Sequence, residues 1–229
     1  MMPLSDVKVG ILIPTRGIER IEFIKNALRL VDAQTVKPYR IQVVGSPPKN
    51  ELCDITYRYK HGYSLLSDVD IIFFWEDDDW YAPDYIEHML IEWDKAGRPD
   101  IFGTIFTMYY HIKIKKFFKM NHHQRASAMN TMIRPNKEIV WGKDDDPYTD
   151  CFLWMTGQKL TRAMYEPKVI KSIGIKHGVG MPGGKGHIDN LHRFLNDDRD
   201  MYWLKGIVDE ESFKFYEEMS KKLNNGITN

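Results

Sequence analysis

Only two cysteines, Cys53 and Cys151, occur in 229 residues, and neither belongs to a CxxC pair or a zinc-type Cys/His spacing. So little cysteine argues against a disulfide framework and fits a reducing compartment. Net charge is missing as well: 32 Lys plus Arg balance 32 Asp plus Glu. A neutral chain exerts no overall pull on nucleic acid or on an anionic membrane, although local patches can still form; nucleic acid is not expected as a partner. No apolar run reaches about 18 residues, so no membrane span is expected. The opening MMPLSDVKVGILIPTRG has too short an apolar run, and a proline too early, for a secretory leader. A GxxxxGK[ST] phosphate loop is missing too, which argues against P-loop nucleotide hydrolysis. Repeats and low-complexity linkers are absent. The expectation is one soluble, cytoplasmic domain over 1–229, or a piece of a longer chain.

What is present alternates strand and helix. VKVGILIPT (Val7 to Thr15) reads as a short buried strand. IERIEFIKNALRLVDAQ follows with Ile21, Ile24, Leu28 and Val31 at helical spacing. YRIQVVG (Tyr39 to Gly45) is a second strand, so the start is a βαβ unit, which builds parallel sheets. SPPKNE is a loop, ITYRY a third strand, and VDIIFFWE (Val69 to Glu76) a central parallel strand. APDYIEHMLIEWDKAG is a helix with Pro83 early and Gly97 at its end. Beyond Asp100 the pattern changes. DIFGTIFTMYYHIKIKKFFKM reads as one or two antiparallel strands, ASAMNTMIRP as another, and EESFKFYEEMSKKLNN as an amphipathic helix. In open α/β sheets ligands bind beyond the carboxyl ends of the strands. Pro14, Thr15 and Arg16, Gly45 and Ser46, and the acids after Trp75 should therefore meet in one crevice.

The acids are Glu76, Asp77, Asp78 and Asp79, four in a row after IIFFW. Adjacent carboxylates repel, and low-dielectric surroundings sharpen the repulsion. A hard divalent cation, Mn²⁺ or Mg²⁺, relieves it and often bridges to substrate phosphates. The competing explanation is a helix start served by Asp78 and Asp79. A second candidate is the loop from His177 to His187, where Gly178, Gly180, Gly183, Gly184 and Gly186 would let backbone amides approach a phosphate and Lys185 would neutralise one. A third is WGKDDDPYTDCFLW, in which Asp144, Asp145, Asp146 and Asp150 compete for the role of general base. Asp146 also fits a helix N-cap. Trp80, Tyr81, Trp141 and Trp154 offer rings for stacking, or fill a core.

ILIPTRG before a helix, then IQVVG, then DIIFFWEDDDWYAPDYIEHML, resembles a GT-A glycosyltransferase of the family-2 type. The likeness is specific from about Val7 to Leu90. That family carries an LDxDDW motif between a strand and a helix; here Glu76 takes the first acidic position, and Asp77 to Asp79 also reads as a DxD shifted by one. The resemblance implies a mixed, mostly parallel central sheet flanked by helices, with a smaller antiparallel lobe on the acceptor side. It implies a nucleotide-sugar half over 1–100 and an acceptor and catalytic half over 101–229. The donor would be a nucleoside diphosphate sugar, with UDP favoured, and the acceptor a carbohydrate hydroxyl. Pro14, Thr15, Arg16, Gly45, Glu76, Asp77, Asp78 and Lys185 would face the donor. Asp77, Asp78, Asp79, His177 and His187 would face Mn²⁺ or Mg²⁺. Asp150, with Asp145 and Asp146 behind it, would be the base of an inverting transfer.

Two other classes stay in view. A nucleotidyltransferase also uses an α/β sheet, acids and a metal, but usually has a glycine-rich basic loop after its first strand; PTRGIERIE has one Gly. A non-catalytic carbohydrate-binding domain would keep the fold without turnover.

Overall fold

The computed structural model describes residues 2–45, 54–157, 159–177 and 191–225. Strand β1 (Val9–Pro14) is buried at every position, as expected of a central strand covered on both faces. Helix α1 (Ile21–Asp32) carries the chain back to β2 (Arg40–Val44). The helix read from the apolar spacing is present, and its buried face is Phe23, Asn26, Ala27, Leu30 and Val31, while Ile21 and Leu28 are exposed. Both sets have helical spacing, so periodicity alone does not fix which one turns inward.

Helix α2 (Ile55–Ser64) replaces the strand expected at ITYRY. Aromatic and β-branched composition suggested a strand, but topology decides otherwise. β2 and β3 (Ile71–Phe74) both run parallel to β1, and parallel strands need a crossover. Gly62 lets α2 lie close: a Cβ there would stand 2.9 Å from Leu12 and Val44.

A two-residue strand, β4 (Trp80–Tyr81), follows the acids, and only then comes α3 (Tyr85–Lys95). Strands β5 (Ile101–Thr104), β6 (Phe106–His111), β7 (Lys116–Asn121) and β8 (Thr131–Ile133) come next. Helix α4 (Thr149–Met155), β9 (Arg162–Tyr165), β10 (Ser172–Lys176), β11 (Asn196–Asp197), α5 (Tyr202–Lys205) and α6 (Glu210–Asn224) complete the described chain.

The strands form two sheets, ordered β2-β1-β3-β8-β5-β9 and β11-β7-β6-β10-β4. In the first, β1–β2, β1–β3 and β5–β9 are parallel, and β8 runs antiparallel to β3 and β5. The stretch 100–120 thus gives three strands rather than one or two: β5 joins the central sheet, while β6 and β7 form an antiparallel hairpin in the smaller one. Side chains alternate along β1 and β3. Ile11, Ile13, Ile71, Phe73 and Trp75 pack with residues of α1, α3 and α6; Leu12, Ile72 and Phe74 pack with Tyr59, Leu153 and Trp154 on the other face. Among the described helices none is long and apolar enough to cross a membrane.

Candidate active site

The strand ends meet as expected. Thr15 donates its N–H to the Val44 carbonyl at 3.0 Å, and Trp75 donates to Leu12 at 2.9 Å. Gly17 has φ of 79°, and a Cβ there would stand 2.8 Å from the Gly45 oxygen, so only glycine fits where the ends of β1 and β2 touch.

The four acids form the turn from β3 into β4. Asp79 donates its N–H to the Glu76 carbonyl at 3.4 Å, and the Glu76 N–H donates to the Tyr81 hydroxyl at 3.0 Å. Helix α3 starts only at Tyr85, so a helix start does not account for Asp78 and Asp79. Burial is deep: Asp77, Asp78 and Asp79 are 4%, 6% and 0% exposed.

Two sets of partners divide the turn. Arg20 donates to Asp77 Oδ1 at 2.6 Å and lies 2.9 Å from Asp78 Oδ2. The same Asp78 oxygen meets His177 Nε2 at 3.0 Å, and the His177 ring stacks on Phe23. On the other side Asp79 Oδ1 accepts the Ile175 N–H at 2.7 Å, beside Lys176 at the end of β10. Oδ2 of Asp77 and Oδ2 of Asp79 are buried without a hydrogen bond of good geometry, as is Oγ1 of Thr15.

These surroundings pull the carboxyls apart. Burial, then repulsion from Asp78 and Glu76, holds Asp79 well above the usual range. Burial also raises Glu76, against the pull of Lys176. Burial lifts Asp77 to about 6, partly countered by Arg20. Asp78 goes the other way: burial opposes its charge, but Arg20 and His177 overcome that and hold it low. Burial lowers His177, which favours the neutral ring.

A cation would relieve this strain, and the donor set fits one. Glu76, Asp78 and Asp79 each offer an oxygen, all within 4.8 Å of one another. An all-carboxylate set suits a hard divalent ion, and the unmatched Asp79 oxygen gives it a partner to satisfy. This grouping includes Glu76, which the sequence placed on the nucleotide, and leaves Asp77 on Arg20.

The remaining candidates are held in different ways. Arg16 donates to Asp54 at 3.3 Å, and Arg58 grips the same carboxylate through two nitrogens. Asp150 pairs with Arg125 and accepts the Cys151 N–H at 3.0 Å. Asp146 accepts the Tyr148 N–H at 2.8 Å and is not the cap of α4, whose N-cap residue is Tyr148. Asp145 is exposed, and Asp144 pairs with Lys60. Trp80 and Trp154 are core residues with their N–H groups on Asp209 and Thr131, Tyr81 stacks on Trp75, and Trp141 packs near Phe74. Ser46, Cys53, Lys185, His187 and the loop glycines from Gly178 to Gly186 lie outside the described residues.

Sequence reasoning missed Arg20 and Lys176. Arg20 stands in PTRGIER, shortly after the first strand end, and Lys176 directly precedes His177; both positions were signals. Tyr109 was also missed. It is electrostatically coupled to Lys176, Glu76 and Asp79 and hydrogen-bonds to Ser127, which links the smaller sheet to the acids.

The architecture is a mixed α/β fold of the GT-A type. It matches Staphylococcus aureus TarS residues 1–349, solved in complex with UDP-GlcNAc, at a TM-score of 0.55 and 8% identity, over 97% of this chain and 72% of that one. A197 from STIV matches at a TM-score of 0.43 and 12% identity, over 69% of this chain and 82% of that one. No protein-family model and no curated protein sequence matches the chain.

Proposed function

We propose that the protein is a metal-dependent glycosyltransferase that moves a sugar from a nucleoside diphosphate sugar, a UDP-sugar, to a hydroxyl of a carbohydrate acceptor. The observation that carries this is the buried acid turn at the carboxyl ends of β1 and β3, where Glu76, Asp78 and Asp79 bring carboxylate oxygens within 4.8 Å of one another. The likeness to a protein solved with UDP-GlcNAc supports UDP as the nucleotide. Glu76, Asp78 and Asp79 would hold Mn²⁺ or Mg²⁺, which when bound offsets negative charge on the departing diphosphate.

The chain's own residues divide the remaining work. Pro14, Thr15, Arg16 and Gly45 would seat the nucleotide at the strand ends, with Asp54 fixing Arg16. Arg20 pairs with Asp77 and Asp78, and His177 orients Asp78. Lys185 and His187 are assigned to the diphosphate and the metal. Asp150 would take the proton of the acceptor hydroxyl as it attacks the anomeric carbon from the face opposite the leaving group, inverting configuration. Arg125 fixes the orientation of that carboxylate, and Asp146 and Asp145 rank behind it. Residues 1–229 would act as one domain, since β3 and β8 join the two halves in one sheet.

The test is release of UDP from a panel of UDP-sugars with Mn²⁺. Release that stops with chelator and in Asp79→Ala is expected. No metal-dependent release from any sugar of the panel would overturn the proposal.

A further inference from the structure

Lys176 is the second cation of the acid turn, and it is placed differently from Arg20. It pairs in register with His111 on β6, while Gly174, on the same face of the sheet, lies opposite Tyr109. A Cβ at Gly174 would stand 2.5 Å from the Tyr109 ring, so the ring lies across that glycine. The half-buried Lys176 ammonium comes to rest 5.0 Å from the ring centroid. The residue before it, Ile175, donates its N–H to Asp79 Oδ1 at 2.7 Å, so the strand end that carries Lys176 adjoins the acid turn. Lys176 nevertheless joins none of the described ion pairs, whereas Arg20 closes on two carboxylates. The backbone contact sets Lys176 beside the acids, and its ammonium rests on the Tyr109 ring rather than in an ion pair with one of them.

The charges then limit what else can enter. Four carboxylates set against Arg20, Lys176 and one divalent ion come to no net charge. A diphosphate adds negative charge, and Arg20 is already committed. Resting on the glycosyltransferase reading, we propose that the Lys176 ammonium binds a phosphate oxygen of the donor's diphosphate, on the Glu76–Asp79 flank of the cation site, and stays on it as the leaving group departs. Lys176 would then be a direct ligand-binding residue, distinct from the carboxylates that hold the ion.

Calorimetric titration of inorganic pyrophosphate, UDP and uridine, each with Mn²⁺, into the whole protein and its Lys176→Gln and Lys176→Arg variants tests this. Lys176→Gln should weaken pyrophosphate and UDP by roughly 10- to 100-fold, the worth of one charge-assisted hydrogen bond. Uridine, which has no phosphate, should bind the variant as it binds the native protein, and Lys176→Arg should recover most of the loss. Unchanged pyrophosphate and UDP affinity in Lys176→Gln overturns the proposal, as does an equal loss for uridine, which marks a structural role. Native protein that binds pyrophosphate but neither UDP nor uridine sinks the donor assignment alone, because pyrophosphate still reports on Lys176. Native protein that binds none of the three sinks both.

Discussion

Two of the acid runs in this chain, 76–79 and 144–146, meet opposite fates. Residues 76–79 follow IIFFW, enter a turn between two buried strands and are sealed in with Arg20, His177 and Lys176 around them. Residues 144–146 precede a short helix at the surface: Asp144 pairs with Lys60, Asp145 is exposed, and Asp146 holds a local turn. Composition is nearly the same, so clustering of carboxylates does not by itself make a site. What differs is the preceding strand, which carries the charges of 76–79 to where water cannot screen them. Asp150 lies between the two cases, half-buried and paired with Arg125.

Substitutions should separate the two runs, beginning with the largest effect. Asp79→Ala should abolish Mn²⁺ binding measured by calorimetry while circular dichroism stays native; retained binding would mean the ion does not use this turn. Asp150→Asn should lower transfer on the order of 100-fold, the lower end for loss of a general base, with UDP affinity unchanged. Full transfer by that variant would remove Asp150 from the role. Arg20→Gln leaves Asp77 without its ion-pair partner and Asp78 with His177 alone, and should cost about 2 kcal/mol in urea unfolding, toward the low side because Arg20 is 18% exposed. Added Mn²⁺ should recover part of that loss.

A smaller effect follows from Asp77. Its carboxyl is raised in the folded protein to about 6 from an ordinary value of 3.8. The folded state therefore holds the proton more tightly than the unfolded chain does. That contribution is fully present below about 3.8 and is lost as pH rises through about 6. Metal-free protein should lose stability over that window, and Asp77→Asn should flatten the loss. The smallest effect belongs to the exposed run: Asp145→Ala should change stability by no more than about 0.5 kcal/mol and leave Mn²⁺ binding intact.

Much of this was legible in the sequence, for identifiable reasons. Continuous apolar runs marked β1 and β3, and the acids at the end of β3 marked the candidate site. ITYRY was misread because local composition favoured a strand, whereas the need for a crossover between parallel strands is a property of the whole sheet. The inward face of α1 was not legible because two stripes fit the same period. Arg20 and Lys176 reach the acids from 57 and about 100 residues away, and no local pattern encodes such a meeting. The short strand β4 was invisible because two residues carry no periodicity.

The most direct measurement is calorimetric titration of UDP and of GDP into the purified protein, with and without Mn²⁺. Manganese-dependent binding of UDP, tighter than that of GDP, is the predicted result. Binding of neither nucleotide under either condition would contradict the account and leave the buried acids without a ligand to explain them.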